Sequence, residues 1–195
     1  MDADYVVLGI PHDAAERLID DKELEKEFGA FQNSSMISVY AGFDIPDHLL
    51  PLDGTGFIKA KGHEIICDAC TWTSRKWQHT SESGNLLVRL FYKSINPAFS
   101  KLKEMTEPEL LQVALSDLSK SLDISANPVI SIVTNWSNCM PIYQLDHSQS
   151  VQSLENKLAE RVPGIVISGC SYFGVGIPDC IENGENTARK VISFL

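Results

Sequence analysis

The residues best arranged for chemistry form a glycine-rich segment near the end of the sequence. Residues 164–168 are typical of a short buried strand, and residues 178–194 have the pattern of a helix. Between them, residues 169–177 read Gly-Cys-Ser-Tyr-Phe-Gly-Val-Gly-Ile, and such glycines let the backbone approach a ligand closely. N–H groups at the start of the following helix can face an electron-rich group. The segment is not the dinucleotide-binding fingerprint, because Asp179 replaces its third glycine, and it also fits a plain strand-to-helix connection.

The cysteines and histidines predict neither a metal site nor a catalytic nucleophile. Cys67 and Cys70 have CxxC spacing, but no second pair follows, and residues three apart in the predicted strand around them point to opposite faces. We therefore expect both thiols to be buried and structural. The five histidines are scattered through the sequence, which also contains no G-x-S-x-G elbow and no P-loop. These patterns point to no catalytic residue and no metal ligand.

One aromatic segment is a candidate ligand wall. The residues from Trp136 to Pro141 follow a predicted strand, residues 129–134, and read Trp-Ser-Asn-Cys-Met-Pro. A large aromatic side chain beside such an irregular sequence suits the wall of an apolar pocket. Tryptophan is also common in cores and at their rims, so both interpretations stay open.

The elements that position these segments differ between the ends and the middle of the chain. Residues 5–10 predict a strand buried on both faces, and residues 12–28 predict a helix, which together form an α/β opening. The middle predicts strands with short links, at residues 36–43, 57–60, 64–72 and 86–93. Such a succession favours an antiparallel sheet. The fold class is therefore α/β at the ends and α+β in the middle, with an antiparallel or mixed sheet.

Two further helices are predicted in the second half of the chain. Thr106 and Glu109 have capping-box spacing, and the apolar face that follows extends to Leu122. Residues 148–161 form a second amphipathic helix. With the α/β character of both ends, these elements suit a middle domain inserted into a domain to which the two ends belong.

Composition and charge exclude several classes of function. The 195 residues are 44% hydrophobic and 22% charged, as in ordinary globular proteins. A net charge of −10 argues against nucleic-acid binding, which needs clustered Lys and Arg. No apolar run is long enough to span a bilayer, so we expect at most peripheral membrane association. The odd number of cysteines and the absence of a basic leader predict reduced thiols in the cytoplasm.

Five segments in this order resemble the oxygen-dependent protoporphyrinogen/coproporphyrinogen oxidases, FAD enzymes of haem biosynthesis related to the amine oxidase flavoproteins. They are DADYVVLGIPHDAA, LPLDGTGFIKA, CTWTSRKWQHT, VTNWSNCMPIYQLDH and SGCSYFGVGIPDCIENG. The resemblance runs through the whole chain but covers only the C-terminal portion of such an enzyme. It implies that residues 1–12 are a strand remnant of the FAD domain. Residues 13–161 would be the substrate-binding domain, and residues 162–195 would be the closing strand and helix of the FAD domain.

The resemblance also implies an activity. Such an enzyme removes six electrons from a porphyrinogen in three hydride-type steps, through FAD to oxygen, and forms hydrogen peroxide. The GIPDC and CTWT segments look like the Gram-positive type, for which coproporphyrinogen III is the expected substrate and protoporphyrinogen IX the alternative. The family's N-terminal FAD-binding region has no counterpart here. We therefore expect this chain alone to hold FAD weakly or not at all, and to need that region in cis or in trans.

Site residues follow from the resemblance by position, and none of them is assigned a catalytic role. Trp136, Val175, Gly176 and Ile177 would contact FAD, and the helix that begins at Pro178 would favour negative charge on the reduced ring. The residues that would line the macrocycle are Thr55, Gly56, Ile58 and Phe91.

Two other functions stay open beside the oxidase. The chain could be a non-catalytic porphyrin-binding or interaction module that reuses the substrate domain. It could also be part of a related flavin enzyme that acts on an amine or a carotenoid, although the sequence lacks aromatic-cage and catalytic-lysine signals. Porphyrin binding without flavin would favour the first of these alternatives.

Overall fold

The computed structural model describes residues 3–50 and 52–194, apart from the side chain of Gln78, and divides the chain into two compact units. The end unit consists of residues 1–33 and 139–195, and the middle unit consists of residues 34–138. These units are defined by packing. The division at residues 12 and 161 into parts of an FAD domain and a substrate domain concerns function and stays a prediction.

The described residues form seven strands and seven α-helices. In order they are β1 (Val6–Leu8), α1 (His12–Leu18), α2 (Lys22–Phe28), β2 (Gln32–Pro46), β3 (Gly56–Ile58), β4 (Ala69–Trp72), α3 (Thr73–Lys76), β5 (Asn85–Lys93), α4 (Phe99–Leu102), α5 (Glu107–Leu122), β6 (Ile130–Ile142), α6 (His147–Arg161), β7 (Ile165–Ile167) and α7 (Ile177–Ile192). Short 3₁₀ turns lie at Asp47–Leu49 and Gln78–Thr80.

The end unit contains a parallel pair of strands, β1 and β7, in which Val6 pairs with Ile165 and Leu8 with Ile167. Leu8 is buried, but Val6 and Val7 are 45% and 47% exposed. The expectation of a strand buried on both faces is therefore wrong for Val6 and Val7 within the described residues. Parallel strands are normally covered on both sides, and here the cover reaches only the Leu8 end of β1.

The predicted helix over residues 12–28 is two helices, because Asp21 starts a new one. Asp21 has an extended backbone, and its carboxylate accepts hydrogen bonds from the backbone N–H groups of Glu23 and Leu24. Arg161 donates to the same carboxylate at 2.7 Å, so the pKa of Asp21 lies below its usual value. An Asp ahead of a charged amphipathic run is a strong N-cap, and it ends α1 before it begins α2.

The middle unit is built on an antiparallel sheet in the order β3-β4-β5-β2-β6, which confirms the predicted fold class. One face of this sheet carries fully buried side chains, such as Val39 on β2 and Leu90 on β5, and packs with α5 in one apolar core. Thr106 and Glu109 form the predicted capping box at the start of α5, with the Thr106 N–H 2.8 Å from the Glu109 carboxylate.

Asp117 on α5 ties the loop before β4 to the core of the middle unit. Its carboxylate is 1% exposed and accepts hydrogen bonds from the backbone N–H groups of Ile66 and Cys67 and from the Tyr92 hydroxyl. Cys67 lies in this loop rather than in the predicted strand, and Cys70 lies within β4; both are buried. Burial raises the pKa of both thiols, that of Cys70 to about 12.

Strand β6 is much longer than the predicted strand over residues 129–134. It includes Trp136 and extends to Ile142, past Asn138 with its positive φ of 49° and past Pro141. These residues argue against a central strand, because proline has no N–H for a neighbouring strand. Since β6 is the edge of the sheet, it tolerates them.

Candidate functional site

The predicted macrocycle-lining residues meet on one face of the middle-unit sheet. Paired residues in an antiparallel sheet share a face, and two rows of partners cross it on the side opposite the buried core. We call this side the outer face. Its first row is Ile58, Ala69, Phe91 and Ser38, and its second row is Gly56, Thr71, Arg89 and Tyr40.

The outer face thus brings together Gly56, Ile58 and Phe91 from separate parts of the sequence. Trp136 joins them, because its indole N–H donates to the Ser38 hydroxyl at 3.2 Å. Trp136, predicted beside the cofactor, therefore lies in the same unit as the predicted substrate residues. Thr55 precedes β3, where its carbonyl accepts from the Trp72 N–H, and its face is not set by strand pairing.

Gly56 is a position where no other residue fits without rearrangement. Its φ is +152°, and a Cβ atom there would collide with the carbonyl oxygen of Cys70 and lie 3.0 Å from the Cα of Thr71. The glycine lets β3 pair closely with β4. Its identity is therefore explained by strand pairing before any ligand is considered.

Arg89 is the charged residue at the centre of the outer face. Its guanidinium carbon lies 4.8 Å from the ring centre of Tyr40 and 4.7 Å from that of Phe91. A long hydrogen bond of 3.5 Å joins its Nη2 to the Ser38 hydroxyl, while its buried Nε has no partner within the described part of the chain. The face therefore combines aromatic surface with a positive charge.

The glycine-rich turn between β7 and α7 belongs to the end unit and is held by side chains on both sides. The Tyr143 hydroxyl donates to the Cys170 carbonyl at 2.7 Å and accepts from the Gly174 N–H at 2.6 Å. The His147 ring stacks on Tyr143 at 3.9 Å and bonds the Tyr172 carbonyl at 2.9 Å. Burial raises the pKa of Tyr143, which keeps its hydroxyl protonated.

Asn183 on α7 fixes the start of the same turn. Its side-chain oxygen accepts from the Ser168 hydroxyl at 2.7 Å and from the Gly169 N–H at 2.8 Å. The backbone of the turn is thus bonded at its start and at its end. This bonding favours a preformed loop over a flexible connection.

Asp179 caps the last helix. Its carboxylate accepts from the Gly176 N–H at 3.2 Å and occupies the space that side chains at 174 and 176 would fill. A Cβ atom at Gly176 would lie 2.6 Å from the Asp179 Oδ2 atom. The carboxylate therefore offsets the positive end of α7, and the expected preference of this helix for negative charge on a ring is weakened.

The predicted cofactor contacts at Val175 and Ile177 are apolar and open. Their side chains are 60% and 77% exposed, on either side of Gly176. A flat ring system such as that of a flavin fits against side chains of this kind by apolar contact. The residues present therefore fit a flavin through packing more than through the helix terminus.

Sequence patterns missed Arg89, Tyr40 and Tyr143. A lone arginine inside the apolar run Leu-Leu-Val-Arg-Leu-Phe-Tyr is a signal that could have marked Arg89. Tyr143 follows Met-Pro-Ile, a segment whose role became visible only through its contacts with the turn. A cleft of about 450 Å³ opens beside Tyr40, but its lining includes none of the predicted site residues.

Comparison with known proteins identifies the family. A family profile described as "Flavin containing amine oxidoreductase" matches residues 1–192. This chain belongs to that family. The recognition made from the sequence is therefore confirmed, and the family is one of flavin-containing enzymes.

Individual proteins similar to this chain include porphyrinogen oxidases. The chain is 30% identical to the coproporphyrinogen III oxidase of Bacillus subtilis (strain 168) over 195 residues, which is 100% of this chain and 41% of that protein. A crystal structure from Exiguobacterium sp. 255-15, provisionally assigned as a protoporphyrinogen oxidase, matches with a TM-score of 0.84 at 29% identity, covering 97% of this chain and 41% of that one. A putrescine oxidase matches with a TM-score of 0.71 at 16% identity, covering 97% and 42%, and shows the shared fold alone.

The chain thus spans about two-fifths of the length of the curated relatives it matches. None of the helices among the described residues is long and apolar enough to cross a membrane. The same residues contain no group of three or more His, Cys, Asp or Glu side chains placed to hold a metal ion.

Proposed function

We propose that this chain forms the C-terminal region of an FAD-dependent oxidase that converts coproporphyrinogen III, or protoporphyrinogen IX, to the porphyrin with oxygen as the acceptor. Each turnover to the porphyrin removes six electrons and six protons, and three oxygen molecules take them up as hydrogen peroxide. The observation that carries the proposal is the outer face, where Ile58 and Phe91 lie in one row, with Trp136 bonded to Ser38 in that row.

The chemistry of the outer face suits a porphyrinogen. The macrocycle is broad and mostly apolar, and a sheet face with aromatic and aliphatic side chains offers it a broad surface. Ile58 is 86% exposed, which is unusual for a large aliphatic side chain unless it contacts another molecule or domain. The curated relatives named coproporphyrinogen III oxidase support the same substrate class.

Completion of the enzyme requires the N-terminal FAD-binding region, in cis or in trans. Two observations support this part of the proposal. The chain spans 41% of its B. subtilis relative, and the parallel strands β1 and β7 leave Val6 and Val7 nearly half exposed. Parallel sheets are normally larger and covered on both faces, so further strands would complete this one.

In the complete enzyme, Val175, Gly176 and Ile177 would hold the flavin ring by contact, and Trp136 would lie beside the cofactor. The chemistry that bound FAD supplies is acceptance of hydride equivalents and their transfer to oxygen. Tyr143 and Asn183 keep the backbone around the turn in place, so that the apolar contacts are preformed. The protein's part is therefore binding and orientation.

The first test is the visible spectrum of the purified chain, before and after FAD is added and the sample is desalted. We expect no retained flavin absorbance from the chain alone. With the N-terminal FAD-binding region supplied, we expect bound flavin and oxidation of coproporphyrinogen III. The oxidation is measured by the rise in porphyrin fluorescence. A reconstituted flavoprotein that oxidises an amine and leaves porphyrinogens unchanged would overturn the proposal.

A matched pair of variants tests the outer face itself. Ile58 and Ile95 both belong to the middle unit and are 86% and 87% exposed, but Ile95 lies in the turn after β5. In the reconstituted enzyme, Ile58→Ala should raise KM for coproporphyrinogen III several-fold, since it removes apolar contact area worth roughly 1–2 kcal/mol. Ile95→Ala should leave KM unchanged. Equal effects of the two variants would exclude the outer face as the substrate surface.

A further inference from the structure

We infer that Arg89 binds a carboxylate of the ligand on the outer face, and that this contact selects porphyrinogens by their acidic side chains. The inference rests on the proposed function, because it specifies which chemical group of the macrocycle the outer face recognises. It concerns a residue that the sequence analysis did not select. Its basis is the position of Arg89, its unfilled hydrogen-bonding capacity and the charge around it.

The guanidinium is held in one place before any ligand arrives. Tyr40, its cross-strand partner, and Phe91, two residues along β5, both place their rings against it. Stacking of this kind fixes the plane of the guanidinium and leaves less conformational entropy to be lost on binding. Arg89 is also only partly buried, so a ligand on the outer face can reach it.

The donors of Arg89 are not used up inside the protein. A guanidinium has five N–H donors, and the described residues supply one long acceptor at 3.5 Å, the Ser38 hydroxyl. That hydroxyl also accepts the indole N–H of Trp136. The buried Nε has no acceptor, and no carboxylate within the described part of the chain forms an ion pair with Arg89.

What distinguishes Arg89 is how few acceptors its guanidinium has, compared with Arg75, the other arginine of the middle unit. Arg75 also lacks an ion pair among the described residues, but its guanidinium donates to three backbone carbonyls, whereas Arg89 has one long bond. Arg89 therefore offers a charge and a planar donor set to an external group. Carboxylates match that donor set in charge and geometry.

A porphyrinogen supplies such a group beside the apolar ring that Ile58 and Phe91 would contact. Coproporphyrinogen III carries four propionates and protoporphyrinogen IX carries two. A contact with one propionate anchors either substrate, and a macrocycle with more propionates has more orientations in which one of them reaches Arg89. We therefore expect Arg89 to favour the tetracarboxylate.

The test is direct binding of the stable porphyrins coproporphyrin III and mesoporphyrin IX to the enzyme reconstituted with the N-terminal FAD-binding region, measured by the change in porphyrin absorbance. Arg89→Gln should weaken coproporphyrin III binding about tenfold or more, because a charge-assisted hydrogen-bonded pair is lost. Arg89→Lys should recover part of the affinity. The control Lys120→Gln removes the same charge from α5, the helix that packs on the opposite face, and should change the affinity less than twofold.

The outcomes separate the two proposals. If the wild type binds coproporphyrin III and Arg89→Gln binds it equally well, the role of Arg89 is overturned and the proposed function stands. No binding of either porphyrin by the wild type overturns the outer face as the porphyrin site, and the role of Arg89 with it. Unfolding midpoints of all three variants show whether a loss of affinity reflects a loss of folding. The inference is supported by a loss of affinity that is largest in Arg89→Gln, smaller in Arg89→Lys and absent in Lys120→Gln, with a wild-type affinity that falls when salt is added.

Discussion

Replacement of Asp117 by asparagine should destabilise the middle unit, and the structure allows the size of the effect to be worked out. One carboxylate oxygen accepts the Ile66 N–H at 2.8 Å, and the other accepts the Cys67 N–H at 2.7 Å and the Tyr92 hydroxyl at 3.2 Å. An asparagine side chain keeps one oxygen and replaces the other by an NH₂ group. In either orientation, one backbone N–H then faces a donor.

An unpaired buried N–H costs about 1–3 kcal/mol, and the remaining bonds lose their charge assistance. Asp117→Asn should therefore lower the free energy of unfolding by about 2–4 kcal/mol, a large share of the roughly 5–15 kcal/mol typical of whole domains. Tyr92→Phe removes a single bond and should lower it by only about 1 kcal/mol. Urea unfolding followed by tryptophan fluorescence measures both, because Trp72 is buried in the same unit.

Asp123→Asn is the matched control. Asp123 follows the last residue of the same helix, is exposed, and has a φ of 55°, a conformation that asparagine adopts readily. It should change stability by less than about 0.5 kcal/mol. If Asp117→Asn unfolds at the same urea concentration as the wild type and as this control, the carboxylate does not hold the loop and the reasoning is refuted.

Three further predictions follow from single contacts. Tyr143→Phe removes both hydroxyl bonds to the glycine-rich turn and should destabilise the end unit by about 1–3 kcal/mol in urea unfolding. Gly56→Ala should cost at least about 2 kcal/mol, since its Cβ meets the backbone of β4; the midpoint of thermal unfolding measures it. The Cys70 thiol has a pKa of about 12 when folded against an ordinary 9.0, and that of Cys67 is also raised, so the unfolded chain releases protons first. The contribution of the protonated thiols to the free energy of unfolding should be complete below about pH 9 and should fall as the pH rises toward 12. Urea unfolding at pH 8 and pH 10 measures this change.

Each of these has its own check. Tyr5→Phe removes a hydroxyl without a hydrogen bond among the described residues, so an equal loss from this variant would contradict the role given to Tyr143. Gly62→Ala is the control for Gly56→Ala, because Gly62 also has a positive φ, +82°, but a Cβ atom there would meet open space. The midpoint of thermal unfolding should therefore fall less in Gly62→Ala than in Gly56→Ala, and equal falls would contradict the collision at Gly56. Substitution of Cys70 by alanine should reduce the alkaline loss, and an unchanged pH dependence would show that other groups cause it.

The sequence by itself determined the family and most of the elements. The five segments that resemble the porphyrinogen oxidases could be recognised without a structure, and the family profile matches residues 1–192. The helix from Glu107 to Leu122 illustrates this, because its capping box depends on two residues three positions apart. The antiparallel sheet in the middle likewise followed from short strands with short links.

Local rules failed where a neighbour in space decided the outcome. Strand β6 continues through Asn138 and Pro141 because it is the edge of its sheet, and strand order is a property of the whole fold. The break at Asp21 in the helix over residues 12–28 is different, because Asp21 is a local N-cap that helical periodicity alone does not show, and Arg161 then binds the same carboxylate.

The candidate site shows the same division. The residue types at Ile58, Phe91 and Trp136 were visible in the sequence, but only strand register brings the first two into one row and hydrogen bonding joins the third to it. Asp179, which the sequence marked only as a departure from the dinucleotide fingerprint, caps the helix because the glycines at 174 and 176 leave room for its carboxylate. Arg89 was one charge in an apolar strand until its packing between two rings, without an internal anion, became visible. Such pairings depend on contacts between residues distant in sequence, which only the tertiary structure decides.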